Sequence, residues 1–155
     1  MKGVILAAGY GSRIQELTLD GEVLSVIDND LDSNHKLRYP SSAVIDDDRT
    51  MYIADWGNER VKVMDPEGHI VQSLRGQATE SKWARAFLDI NLEEAAARDN
   101  SDLETEQDYF VNDPHEVSSH IEKLFWAPMS VKLDSQRKIY VTESNRHRVQ
   151  IYDIA

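Results

Sequence analysis

Residues 41–76 read SSAVIDDDRTMYIADWGNERVKVMDPEGHIVQSLRG, and this stretch decides the fold. Ser42-Ala43-Val44-Ile45 has the composition of a strand, and Asp46-Asp47-Asp48-Arg49 that of a turn. Met51-Tyr52-Ile53-Ala54 is a second strand. A loop through Gly57 and Asn58 leads into Val61-Lys62-Val63, which alternates apolar and polar. Pro66-Glu67-Gly68 then turns the chain into Ile70-Val71. The spacing predicts a four-stranded antiparallel meander.

The same pattern recurs on both sides. Gly9-Tyr10-Gly11-Ser12-Arg13-Ile14-Gln15, Asp55-Trp56-Gly57-Asn58-Glu59-Arg60-Val61-Lys62-Val63 and Glu143-Ser144-Asn145-Arg146-His147-Arg148-Val149-Gln150-Ile151 superpose as a short polar loop, an arginine and an alternating strand. The aligned arginines are Arg13, Arg60 and Arg148, separated by 47 and then by 88 residues, so the second interval is one period plus 41 residues. A four-stranded meander cannot bury both faces alone. Radial stacking of several hides them, as blades do in a β-propeller.

The surplus residues coincide with a change of character. Residues 78–125 carry 4 basic and 12 acidic side chains, whereas residues 1–77 carry 8 and 13, and residues 126–155 carry 5 and 3. The acidic middle is rich in alanine, glutamate and leucine at helical spacing, so it reads as an insertion between two related pieces. Ser81 is placed to cap a helix through Leu88 with Trp83 and Phe87 on one side, a spacing that ordinarily means packing. Asn91 is placed to cap Leu92 to Arg98. A further helix is predicted over His115 to Phe125, opened by Pro114 and carrying Val117, Ile121, Leu124 and Phe125 on one face. Asp99 to Asp113 is expected to be a mobile acidic loop.

At this point the residues resemble a known family, the NHL-repeat β-propellers. The resemblance is carried by Tyr39-Pro40, Met51-Tyr52-Ile53-Ala54-Asp55 and Gly57-Asn58-Glu59-Arg60-Val61. It recurs in Trp126-Ala127-Pro128-Met129-Ser130-Val131 and in Ile139 to Val149, and together with Val4 to Ile27 it covers about two-thirds of the chain. Residues 78–125 have no counterpart within the repeat. The first unit starts in its second strand and the last stops after its third, so 3, 4 and 3 strands are expected, against about 4–8 four-stranded blades in a closed propeller. The expectation is one all-β domain over residues 1–155. It is a partial β-propeller of antiparallel four-stranded blades with an inserted α-helical segment, an arc of about half a ring belonging to a longer parent. Its unfinished blade edges invite self-association.

Leu6-Ala7-Ala8-Gly9-Tyr10-Gly11-Ser12-Arg13 also resembles the glycine-rich opening of sugar-nucleotide nucleotidyltransferases. That resemblance implies that Gly9, Gly11 and Arg13 hold a triphosphate. Against it, the Pro-Lys pair of those enzymes is missing, Asp20-Gly21-Glu22 makes a hairpin turn, and Ile14, Leu17, Leu19 and Val23 continue as strands rather than a helix.

Other chemistry is excluded or unsupported. The net charge of −11 repels nucleic acid, and the absence of cysteine removes disulfides, thiolate metal sites and cysteine nucleophiles together. Apolar runs are far below the roughly 20 residues that span a bilayer, and no signal-like region follows Met1, so a soluble chain of unassigned compartment is expected. His115 and His120 miss the spacing of a zinc-binding helix. Asp46-Asp47-Asp48 lacks the glycine and distal glutamate of an EF-hand, and reads as a turn with solvated carboxylates. No serine sits in a nucleophile elbow.

No catalytic residue, metal or cofactor is therefore assigned. The family resemblance implies a binding or scaffolding module for a protein or small-molecule ligand. The alternative is a fragment of a related propeller enzyme, lactonase-like, strictosidine-synthase-like or peptide-lyase-like. The candidate binding residues are the repeated Arg13, Arg60 and Arg148, the loop residue Trp56, and Trp83 and Phe87 of the insertion. The arginines are expected first of all to serve inter-blade salt bridges and hydrogen bonds to neighbouring carbonyls, and only secondarily a ligand.

Overall fold

A computed structural model of the chain describes residues 4–7, 14–27, 36–103 and 113–154. Among the described residues, ten strands form three antiparallel sheets. β1 (Val4–Ala7), β2 (Ile14–Leu17) and β3 (Val23–Ile27) make the first blade. β4 (Pro40–Ile45), β5 (Met51–Asp55), β6 (Arg60–Met64) and β7 (Ile70–Leu74) make the second. β8 (Pro128–Leu133), β9 (Lys138–Glu143) and β10 (Arg148–Asp153) make the third. Each blade is a meander of sequential strands, giving the 3, 4 and 3 expected from the repeat arithmetic. The fold is an arc of β-propeller blades.

The period of two in each strand sends alternate residues to opposite faces of a blade, and each shared face packs an apolar cluster beside a few buried polar side chains. Met51, Ile53 and Met64 of the second blade bury against Ile14 and Ile27 of the first. On the opposite face, Tyr52, Ala54, Val61 and Val63 bury against Val131, Ile139 and Val141 of the third. Two hydroxyls tie neighbouring blades where β4 meets β8: Ser41 donates to the Pro128 carbonyl at 2.9 Å, and Ser42 Oγ accepts the Val131 N–H at 3.3 Å.

The repeat extends to backbone conformation. Tyr39 and Ala127, Arg49 and Arg137, and Glu59 and His147 all adopt positive φ, and each pair is 88 residues apart. Only a shared turn geometry explains three pairs of non-glycine residues entering the left-handed region at matching positions. Asp46 and Asp134 hold the turns that contain Arg49 and Arg137. Asp46 accepts the N–H groups of Asp48 and Thr50 and the Tyr52 hydroxyl, while Asp134 accepts those of Gln136, Lys138 and Tyr140. Asp46 is therefore not a solvated carboxylate. Its side chain is buried, and Arg137 of the next blade pairs with it at 3.0 Å, as Arg49 pairs with Glu16 one blade earlier.

Between β7 and β8 lie α1 (Lys82–Ile90), α2 (Leu92–Asp99) and α3 (Pro114–His120). Ser81 caps α1 by accepting the Ala84 N–H at 3.1 Å. Asn91 does not cap α2 with its side chain; its Nδ2 donates back to the Phe87 carbonyl and closes α1 instead. α3 is shorter than the periodicity suggests. It ends at His120 because Ile121 turns extended, and Ile121, Leu124 and Phe125 then enter the core from a non-helical segment. Trp83 is 86% exposed and Phe87 is also exposed, so their helical spacing marks an outward face and not a packed one. The acidic stretch 104–112 lies outside the described residues.

Arg98 at the end of α2 ties these helices down, donating to Glu80 and, through two nitrogens, to Glu122. The Arg98 hydrogen bonds hold the Glu122 carboxyl below its ordinary value. A depressed carboxyl contributes stability above its unfolded value and loses it as pH falls through the folded one. E122Q should therefore speed amide hydrogen exchange in α1 and α2 near neutral pH while leaving β5 and β9 protected. Acidifying the wild type below about pH 4 should reproduce that pattern. Equal acceleration in the blades would refute a local tie.

Candidate functional site

One end of the second blade carries the β5–β6 turn. The starts of β4 and β8 lie at the same end, and the chain leaves β7 and re-enters β8 there. The longest connection, including all three helices, thus decorates the same end as the polar loops of the repeat.

At this end four rings form a row. Tyr39 meets Trp56 edge-on at 6.3 Å, Trp56 lies 5.9 Å from His115, and His115 lies 5.8 Å from Trp126. Guanidinium groups close both ends, Arg38 over Tyr39 at 5.9 Å and Arg146 over Trp126 at 5.6 Å. The row is held from below by Glu59, whose left-handed backbone turns its carboxylate inward. Glu59 Oε1 lies 2.5 Å from His115 Nδ1, and Oε2 accepts the Ala127 N–H at 2.6 Å.

The tautomer of His115 follows from its partners. Trp126 Nε1 can only donate, and it lies 3.2 Å from His115 Nε2, so Nε2 carries the lone pair and Nδ1 donates its proton to Glu59. Burial pushes the Glu59 carboxyl above its ordinary range, against the lowering pull of the His115 and Ala127 hydrogen bonds. His115 is the joint that fastens α3 to two blades. Its lone pair is engaged by an indole N–H rather than open to a substrate proton.

The sequence-derived candidates are scattered over this end. Trp56 is in the ring row. Arg148 ties its own blade to the returning segment: Nε bonds Glu143 at 2.5 Å, and Nη2 donates to the Glu122 and Leu124 carbonyls. Arg60 makes a different contact, its Nε donating to the Asn58 carbonyl at 3.1 Å. The equivalence of the two arginines therefore ends at the backbone. Phe87 and Arg148 share the lining of a cleft of about 430 Å³ beside α1, whose lining does not include Trp83. Arg13 and the glycine-rich loop around it lie outside the described residues, but Ile14–Leu17 continues as a strand, not as the helix a phosphate-binding loop requires. Residues missed by sequence reasoning are Tyr39, Glu59, His115, Trp126 and Arg146. The aromatic-Pro steps at 39–40 and 126–128 were their one visible signal.

Among the described residues, no group of three or more His, Asp or Glu side chains is arranged to hold a metal ion. No helix among them is long and apolar enough to cross a membrane.

These features define a propeller arc, and comparison with known proteins places one of its blades. Residues 125–152, which span β8, β9 and all but the last residue of β10, match the NHL repeat. Solved structures similar to the chain include selenomethionine-substituted virginiamycin B lyase from Staphylococcus aureus, at 8% identity and a TM-score of 0.45, covering 98% of this chain and 38% of that one. A streptogramin B lyase structure is similar at 11% identity and a TM-score of 0.45, covering 99% of this chain and 37% of that one. The chain spans less than two-fifths of the length of those structures. No curated protein sequence matches it.

Proposed function

We propose that the loop end of the arc is a binding surface for a protein or small-molecule ligand, and that this chain acts as a binding module rather than a catalyst. The observation that carries the reading is the row of Tyr39, Trp56, His115 and Trp126, partly exposed and capped at both ends by arginine. Rigid aromatic surface that is already ordered loses little entropy on binding, and Trp, Tyr and Arg are the residue types that dominate interface energies. The engaged lone pair of His115 weighs against general-base chemistry at the same place.

Screening peptide and small-molecule panels by tryptophan fluorescence tests the proposal. A ligand that binds the wild type should lose at least about tenfold in affinity to W126A or W56A, the ordinary cost of a hot-spot truncation. W83A, which alters an outward-facing side chain, should bind as the wild type does. Ester, lactone or lyase turnover by the chain that disappears in H115A would instead establish the enzyme-fragment reading.

A further inference from the structure

Two groups reach His115 Nε2, and they respond oppositely to a proton. Trp126 Nε1 stands 3.2 Å from it and can only donate, so that contact requires the lone pair. Asn145 Nδ2 stands 3.5 Å from the same nitrogen, and a half-rotation of the carboxamide puts an acceptor, Oδ1, in its place. Asn145 is exposed, so solvent leaves room for the rotation. Ser144 Oγ, which donates to Oδ1 at 3.2 Å, can then accept from Nδ2.

The charges around the imidazole decide what a proton does there. Beneath it, the Glu59 carboxylate already bonds Nδ1 and pairs more strongly with an imidazolium than with a neutral ring. Arg146, in the turn between β9 and β10, holds its guanidinium over the Trp126 ring, so a charged His115 is a second cation beside that indole. Glu143 of β9 is taken by Arg148 and by the N–H groups of Trp126 and Gln150. On α3 itself, Glu116 pairs with His120 at 3.3 Å. Trp56 offers a ring and no charge.

We propose that His115 is a proton switch for the ring row. The proposal concerns the regulation of the binding surface described above and rests on that reading only for its effect on a ligand. With Nε2 unprotonated, Trp126 donates to it and the row is continuous. A proton from solvent sets two N–H donors against each other, so Trp126 leaves and Asn145 Oδ1 takes its place. His115 stays fastened to Glu59, now as an ion pair. Acid therefore breaks the row between His115 and Trp126 without undocking α3, in the range of about pH 5 to 8 where imidazoles change charge.

A pH titration of the intact chain by nuclear magnetic resonance tests this without any ligand. It follows the His115 ring nitrogens and the Trp126 indole N–H, the latter assigned by its loss in W126F. The indole signal should move with the midpoint of His115, while the α3 amides stay protected from exchange. H115Q should abolish the movement, and H120Q should leave it. N145L removes the acceptor and should lower the proton affinity of His115 by about threefold or more, whereas W126F removes the competing donor and should raise it by a similar factor. These two variants carry the test should H115Q disturb folding. A ligand found by the fluorescence screen should lose about tenfold in affinity on acidification, down to the level of W126A, whose own affinity should not change with pH. An indole signal that does not titrate, one that titrates unchanged in H115Q because Glu59 takes the proton, or α3 undocking with it would overturn the switch. A resonance transition in a chain that binds no ligand would count against the binding surface and leave the switch standing.

Discussion

Phe125→Ala is expected to lower the unfolding free energy by about 3–5 kcal/mol, the usual cost of emptying an aromatic site in a core that cannot collapse around it. Phe125 is fully buried among Tyr52, Val61, Val63, Val131, Ile139 and Val141, with its ring edge-on to Tyr152 at 6.0 Å. Its N–H donates to the Arg75 carbonyl at 2.7 Å, so the residue pins the exit of β7 to the entry of β8. Phe87→Ala, in the same inserted stretch but exposed, should change stability by no more than about 0.5 kcal/mol. Urea unfolding followed by far-ultraviolet circular dichroism compares the two. Similar, small losses for both would mean that the returning segment does not fill the space between the second and third blades.

The contrast between those two phenylalanines shows what could be read in advance. Strands were legible because their signal is local: alternation in Val61-Lys62-Val63 and the turn at Asp46 to Arg49 act over a few residues. The spacing of 47 and 88 residues then ordered the strands into blades without any knowledge of contacts. The family resemblance at residues 125–152 and the propeller arrangement agree with that reading.

The insertion was less legible because helical periodicity says which residues share a face but not what covers it. Trp83 and Phe87, four residues apart on α1, are both exposed among the described residues. Ile121 to Phe125 carry a helical signature because apolar residues at i, i+3 and i+4 also suit an irregular segment diving into a core. The ring row was invisible for another reason. His115 meets Glu59 across 56 residues and Trp126 within 11, so the cluster exists only once α3 is docked on the β5–β6 turn.

Asp55→Ala should be nearly as damaging as the loss of Phe125, at about 3–5 kcal/mol, because it would remove one partner of a fully buried ion pair. The side chains of Asp55 and Lys62 are both 0% exposed, with Lys62 Nζ 3.4 Å from the carboxylate. Asp55 also accepts the Arg38 N–H at 2.6 Å and Asn58 Nδ2 at 2.7 Å, and Lys62 donates to the Lys36 carbonyl at 2.8 Å. The third blade repeats the carboxylate but changes its cation. Glu143 accepts the Trp126 N–H, the equivalent of Arg38, while Gln150 replaces Lys62 and Arg148 supplies the charge from the neighbouring position. What the repeat preserves is thus an acceptor for the strand-entry N–H, while the cation paired with it differs between the two blades. It follows that the double variant D55A/K62M should recover most of the loss of D55A. Replacing a whole buried pair by apolar groups is often close to neutral, whereas removing one partner is not. A complete double-mutant cycle in urea measures the coupling. A D55A variant within about 1 kcal/mol of the wild type, the scale of an exposed ion pair, would mean that solvent reaches this pair and that the blade entry is held by the backbone alone.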